Sequence, residues 1–325
     1  MAEPLISVII PTYNRAEILR LALDSLTVQT LAPAEFEVLV VDNNSRDHTR
    51  AVVEAYCRHL PHFHYVSETA QGAAHARNAG LKMARGEYVG LMDDDAKAAP
   101  DWLEVAARVI REQHPVVFGG PFFPFYISSK PAWFKSTYGG YMLTDQPRAM
   151  TENEYVYGGN MFVHRAALRE VGGFPVDRGP VGKVMAFGEE IVPQQKIRKS
   201  QPGALFFYDP QLVTYNLVRP EQMSVRRVWR DAYTRGKTGF VLFRRGRDTP
   251  LSPVRYWRVS AQLWGAFVFD AVRGIFSRDR VRFPHVQSYW YEHTRDIVVK
   301  LGRVRARREA WSEKSAAAPS RTHEH

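Results

Sequence analysis

Three aspartates in a row, Asp93, Asp94 and Asp95, close the apolar run "YVGLM". Adjacent carboxylates repel one another, and setting them at the end of a buried strand costs free energy unless a positive partner offsets it. A divalent cation is such a partner: Mg2+ or Mn2+ takes oxygen ligands, commonly one or two carboxylates together with substrate phosphates and water. Strand alternation sends Asp93 and Asp95 to one side and Asp94 to the other, so one face can offer two carboxylates to a bound diphosphate. The competing reading is a solvated acidic turn ahead of a helix. Asp42 ends "VLVVD", where a carboxylate can accept hydrogen bonds from a base or ribose, although "DNNS" is also strongly turn-forming. Arg77 and Asn78 lie among small residues in "GAAHARNAG", which lets a phosphate approach the backbone. None of the 11 histidines shows metal-ligand spacing.

The elements that must position these groups are legible as apolar runs alternating with helical periods. "LISVIIPT" reads as a strand buried on both faces of a parallel sheet. Asn14 is placed as the N-cap of the next helix, with Glu17 closing a capping box and Ile18, Leu21, Ala22 and Leu26 along one face. "FEVLVVD", "FHYVSE" and "YVGLMD" are further strands, separated by helices over "DHTRAVVEAYCRHL" and "AHARNAGLKMAR" and followed by one over "PDWLEVAARVIREQ". This alternation implies right-handed crossovers and an α/β, Rossmann-like, mostly parallel twisted sheet flanked by helices. Ligands of such sheets bind outside the carboxyl ends of the strands, so Asp42 and the aspartyl trio are expected to share one crevice.

At 325 residues, 45% hydrophobic and 24% charged, the chain has ordinary globular values and can bury a sizeable core. The single cysteine, Cys57, excludes an intramolecular disulfide and a cysteine-built zinc cluster, and fits a reducing compartment. No signal peptide is expected in "MAEPLISVIIPTYN", which lacks a basic leader. The net charge of +10 is uneven: residues 226–310 hold 20 Lys and Arg against 7 Asp and Glu, the remainder 24 against 27. The near-neutral front suits a soluble enzyme, and the basic segment suits anionic lipid or nucleic acid. Its most apolar part, "VRYWRVSAQLWGAFVFDAVRGIF", is broken by Gln262, Asp270 and Arg273 and falls short of a spanning helix. Leu263, Phe267 and Ala271 fall on one stripe there, and with Trp257, Trp264 and the flanking arginines the segment reads either as an interfacial helix on an anionic membrane or as a helix packed on the protein.

The pieces "SVIIPTYNRAEILRLALDSLTVQT", "VLVVDNNSRDHT", "GAAHARNAG", "GEYVGLMDDDAKAAPDWL", "YGGNMFVHRAALREVGGF" and "GEE", in this order between Ile6 and Gly236, resemble the family 2 glycosyltransferases. These are inverting enzymes of the GT-A fold that use nucleotide-sugar donors. The resemblance implies that Thr12 and Tyr13 line the nucleotide pocket, that Asp42 reads the base, and that Arg77 lies near the nucleotide. It puts the family's Asp-x-Asp motif on Asp93 and Asp95, with Asp95 in direct contact with Mg2+ or Mn2+ and Asp94 near the ribose or sugar. Glu190 becomes the catalytic base, and Glu189 helps to hold the acceptor or the donor sugar. Apart from the family, these glutamates read as an exposed helix start. Many relatives complete the metal shell with a histidine where this chain has Asn216, whose amide oxygen can also ligate. Sugar or acceptor contacts are expected from Trp133 and from "YGGN", especially Gly159 and Asn160, through ring stacking and hydrogen bonding.

The expected organisation is a nucleotide-sugar half over residues 1–115, an acceptor half over 116–225, a basic amphipathic helical extension over 226–311 and a disordered tail over 312–325. The implied reaction moves a sugar from a nucleotide-diphosphate sugar, UDP-sugar favoured, to a hydroxyl of a glycan or lipid-linked acceptor, as in cell-surface polysaccharide or glycoconjugate synthesis. The expected place of action is the cytoplasm, either free or peripheral on the cytoplasmic face of an anionic membrane through residues 226–310. Two other classes stay open. A nucleotidyltransferase acting on sugar phosphates would share the acidic nucleotide fold, but the chain lacks a glycine-rich, lysine-containing signature near its start. A non-catalytic nucleic-acid-binding protein would use the arginines, but no reading motif accompanies them, and no nucleic-acid partner is expected.

Overall fold

The computed structural model describes residues 3–176, 188–244 and 248–316. In chain order its elements are β1 (Ile6–Thr12), α1 (Ala16–Thr27), β2 (Phe36–Asp42), α2 (Thr49–His59), β3 (Phe63–Ser67), α3 (Ala73–Met83), β4 (Tyr88–Met92), β5 (Ala96–Ala98) and α4 (Trp102–Gln113). There follow β6 (Val117–Gly119), β7 (Phe122–Phe125), β8 (Arg148–Ala149), β9 (Asn160–His164), α5 (Arg165–Glu170), α6 (Ile191–Ser200), β10 (Phe206–Tyr208) and β11 (Thr214–Leu217). The last helices are α7 (Val225–Gly239), α8 (Pro253–Phe276), α9 (Val286–His293) and α10 (Arg295–Ala316). Two compact units result, one from Met1–Ile127 with Thr137–Val218 and one from Ser128–Ser136 with Arg219–His325.

The first unit is built on an eight-stranded sheet in the order β3-β2-β1-β4-β9-β6-β10-β8. Its leading strands are parallel, as the sequence implies, but β9 runs antiparallel to both β4 and β6, so the sheet is mixed beyond β4. Alternation along β1 feeds two cores: Ile6, Val8 and Ile10 pack with Leu19, Leu23 and Trp102 on one face, and Ile9 packs with Ala76 and Leu81 on the other. Burying both faces is what makes β1 a continuous apolar run. A smaller sheet, β5-β11-β7, sits after the aspartyl trio and pairs Asn216 with Ala96.

Asn14 does not cap α1. It adopts a left-handed conformation at φ 51°, and the first helical amide, Ala16 N, donates instead to Asp47 Oδ2 at 3.1 Å. A side chain from the loop after β2 thus does what the local sequence assigned to Asn14.

The second unit is helical. Its boundary falls at Val218/Arg219 rather than at 225/226, and residues 128–136 join it: Ser288 Oγ donates to the Trp133 carbonyl at 2.7 Å. Of the two readings of the α8 stripe, packing on protein holds at Phe267, which meets the Trp229 ring at 5.1 Å, and Trp290 Nε1 donates to the Ala271 backbone carbonyl at 3.1 Å. Among the described residues no helix is long and apolar enough to cross a membrane. The tail expected from residue 312 begins as helix, since α10 runs to Ala316; residues 317–325, like 177–187, lie outside the described residues.

Candidate active site

The carboxyl ends of β1, β2 and β4 bring Thr12, Asp42 and the aspartyl trio to one edge of the sheet, with Thr12 and Asp42 in direct register. The charges are not left to repel. Thr12 Oγ1 donates to Asp94 Oδ2 at 2.9 Å, and Arg15 Nη1 donates to Asp94 Oδ1 at 2.6 Å and lies 3.5 Å from Asp95 Oδ2. Burial nonetheless raises the Asp94 carboxyl to about 6, against the pull of Arg15. Asp42 is buried and accepts from Ser45 N and from the Tyr65 hydroxyl, each at 2.9 Å, which fixes its carboxylate at the strand end. Tyr13 is exposed just beyond Thr12.

Arg77, only 6% exposed on α3, links the two acidic groups. Its Nη1 donates to Glu189 Oε1 at 2.5 Å and its Nη2 to Asp93 Oδ1 at 3.3 Å. A buried guanidinium between two carboxylates is a fixed counter-charge, and its planar fork can serve both at once. Burial also raises the Asp93 carboxyl, with Arg77 opposing the rise. The loop before α3 is held by Asn43, whose amide nitrogen donates to the carbonyls of Glu68 and Ala70 and whose Oδ1 accepts from Gly72 N.

The glycines of "YGGN" are spacers between the clusters. A Cβ on Gly158 would stand 3.1 Å from Glu190 Cβ, and one on Gly159 would stand 2.5 Å from Asp93 Oδ2 and 3.9 Å from Asn216 Nδ2. Asp93, Asn216 and Glu190 therefore converge on this turn. Glu190 immediately precedes α6, whose Gln194 is buried and grips the turn: its Oε1 accepts from Val156 N at 3.0 Å, and its Nε2 donates to the carbonyls of Val156 and Glu190 at 2.8 and 3.0 Å. Burial, followed by the Glu189 charge, pushes the Glu190 carboxyl up to about 7. Such a group is a proton acceptor poised near neutrality.

Two expected acceptor contacts are corrected. Asn160 is 1% exposed and its amide is spent inside the protein: Trp102 Nε1 donates to its Oδ1 at 2.9 Å, and its Nδ2 donates to the carbonyls of Pro121 and Leu212 at 2.8 and 2.7 Å. It is a structural pin, and Asn160→Ala should lower stability by about 3 kcal/mol in urea unfolding by stranding these three partners. A loss below about 1 kcal/mol would count against the pin. Trp133 is 8% exposed in the helical unit, with Phe134 at 5.3 Å and Tyr291 at 6.5 Å, so little of its ring is left to stack on a sugar.

Among the described residues no group of three or more His, Cys, Asp or Glu is gathered as a metal cage. What the crevice offers is Asp93, Asp95 and Asn216, whose Oδ1 is buried without a hydrogen-bond partner. Arg15, Asn43 and Gln194 were not anticipated. Arg15 carries a usable signal, a cation directly after a strand end beside an acidic cluster, whereas nothing in the spacing marks Gln194.

Known proteins bear on this crevice. A family model described as Glycosyl transferase family 2 matches residues 7–172, just over half of the chain. Glycosyltransferase AglE of Haloferax volcanii is 28% identical over 173 residues, 53% of this chain and 56% of AglE. The glucosyl-dolichyl phosphate glucuronosyltransferase of the same organism is 29% identical over 184 residues, 54% of this chain and 58% of that protein. The chain thus spans a little over half the length of these curated relatives. Among solved structures, mannosyltransferase PcManGT from Pyrobaculum calidifontis, in complex with GDP-Man and Mn2+, matches with a TM-score of 0.62 over 95% of this chain and 88% of that one at 20% identity, a likeness of fold.

Proposed function

The chain belongs to glycosyl transferase family 2 and has the GT-A fold, and from that premise we propose that it is an inverting, metal-dependent hexosyltransferase acting from a nucleoside-diphosphate sugar onto a hydroxyl of a glycan or lipid-linked acceptor. The observation that best supports this reading is the Arg77 bridge from Asp93 to Glu189, beside a Glu190 whose carboxyl is raised to about 7. The acceptor hydroxyl attacks the anomeric carbon from the face opposite the diphosphate. Its oxygen forms the new bond, the bond from that carbon to the phosphate oxygen breaks, and Glu190 takes the hydroxyl proton. Asp42 hydrogen-bonds the base or ribose, and Asp94, anchored by Thr12 and Arg15, orients the ribose or sugar.

The residues fit a divalent cation at Asp93, Asp95 and Asn216: two carboxylates and an orphaned amide oxygen are hard ligands suited to Mg2+ or Mn2+. Bound there, it supplies charge stabilisation to the departing diphosphate. The solved neighbour carries GDP-Man and the sequence reading favours UDP, so the base is a matter for a panel of UDP-, GDP- and dTDP-sugars. One donor should raise the melting temperature with Mn2+ and fail to do so after chelation, because a ligand bound only by the folded form stabilises it. Asp95→Ala should weaken that donor at least about tenfold by calorimetry. Equal affinity of the variant and the unsubstituted protein would remove Asp95 from the site. In donor-only incubations slow hydrolysis of the nucleotide sugar supports transfer, and pyrophosphate release supports the nucleotidyltransferase instead.

One curated relative is named for glucosyl-dolichyl phosphate, a lipid-linked sugar. Together with the basic excess over residues 226–310, this supports work at the cytoplasmic face of an anionic membrane, on an acceptor destined for a cell-surface polysaccharide or glycoconjugate.

A further inference from the structure

The helical unit leaves one long apolar face without a partner. On α8, Trp257 is 70% exposed, Trp264 55%, Phe269 67% and Phe276 77%, and Val268 and Val272 are exposed between them. With 3.6 residues per turn these side chains share one arc of about 140°, whose centre is turned about 130° away from Phe267, which meets the Trp229 ring. Arg255 and Arg273 lie along one edge of that arc and Arg258 is set within it, all of them exposed. Beyond the helix Val281, 94% exposed, stands between Arg280 and Arg282. A contiguous exposed apolar strip rimmed by charge marks an interaction surface.

We infer that the outer face of α8, from Trp257 to Phe276, inserts into the headgroup region of an anionic lipid bilayer with the helix axis lying in the membrane plane. This deepens the membrane part of the reading above and rests on it: Trp257 and Trp264 stay at the contact, and Val268, Phe269, Val272 and Phe276 join them in place of Phe267. The helix is about 36 Å long at 1.5 Å per residue, so it can lie in the interface. No described helix meets the length and apolarity for a span. Indoles prefer the polar–apolar boundary, and arginines can lay their stems along the acyl region while the guanidinium reaches phosphate. A second copy is the weaker occupant, because residues 253–282 hold six arginines against two aspartates and a like face would bring the same excess. Nucleic acid would answer the arginines but leave Val268, Val272 and the aromatic rings unburied.

The test uses the full chain with vesicles of phosphatidylcholine alone or mixed with phosphatidylglycerol. The protein should pellet with the anionic vesicles, with tryptophan emission shifted to the blue. Trp257→Ser/Phe269→Ser should lower the partition coefficient at least about tenfold, in low and high salt alike. Arg255→Gln/Arg273→Gln should lower it about tenfold or more in low salt only. Melting temperature and donor turnover of both variants should match the unsubstituted protein. Equal pelleting of the aromatic variant and the unsubstituted protein would overturn the assignment of this face while leaving membrane binding standing. A protein that stays in the supernatant with every vesicle would remove both. Concentration-dependent self-association abolished by Trp257→Ser/Phe269→Ser, without vesicle binding, would name a second copy as the occupant and overturn the inference. None of these outcomes touches the transfer chemistry, which is read from donor turnover in the same preparations.

Discussion

Glu190→Gln is expected to slow sugar transfer by roughly 10²- to 10⁴-fold while donor affinity stays within a factor of about two. The amide keeps the shape and loses the lone pair that receives the acceptor proton. Because the carboxyl is raised to about 7, kcat/KM of the unsubstituted protein should fall as pH drops through that region, and the residual rate of the variant should lack this limb. Stability runs the other way. A carboxyl whose folded-state value lies above its ordinary 4.5 favours the fold when protonated; that contribution is complete below the ordinary range and is lost as pH rises through about 7. The glutamine variant should therefore be the more stable protein at pH 8, by an amount on the order of 1–3 kcal/mol, with the advantage shrinking toward pH 5. A variant that turns over at the unsubstituted rate would take the base away from Glu190.

Arg77→Met should be among the most destabilising single changes in the chain, at about 3–5 kcal/mol, because Glu189 and Asp93 lose the cation buried with them. The sign with pH follows from the same contacts. Without the guanidinium both carboxylates gain by protonation, so the loss is greatest at pH 8 and diminishes as pH falls. Arg77→Lys should recover only part of it, since an ammonium is a single point charge and cannot fork between two partners. Urea unfolding at two pH values measures both effects. A loss under about 1 kcal/mol at pH 8 would show that the bridge does not hold the clusters together.

How much of this was legible in the sequence depends on the range of the signal. β1, β2 and β4 are continuous apolar runs ending in polar residues, and a rule of parallel sheets then puts Asp42 and the aspartyl trio at one edge. Glu189 and Glu190 could be assigned roles only through the family resemblance, because their proximity to Asp93 comes from Arg77, 112 residues before Glu189. Asn160 was misread because "YGGN" looks like a polar turn; it is the first residue of β9, and its amide is consumed by a tryptophan and two carbonyls distant in the chain. The orientation of α8 was undetermined in principle. The Leu263, Phe267 and Ala271 stripe and the Trp264, Val268 and Val272 stripe are both apolar at helical spacing, and only Trp229 and Trp290 decide which one is covered. Asn14 lost its cap for a similar reason: a competing carboxylate, Asp47, arrives from the next crossover.

The most direct test is diffraction from crystals of the protein soaked with its nucleoside-diphosphate sugar and Mn2+. The account predicts the diphosphate beside Asp93 and Asp95, and a Glu190 carboxylate oxygen about 3–4 Å from the space an attacking hydroxyl needs, on the face of the anomeric carbon away from the phosphate. A donor seated elsewhere, or one whose anomeric carbon turns its phosphate side toward Glu190, would contradict it.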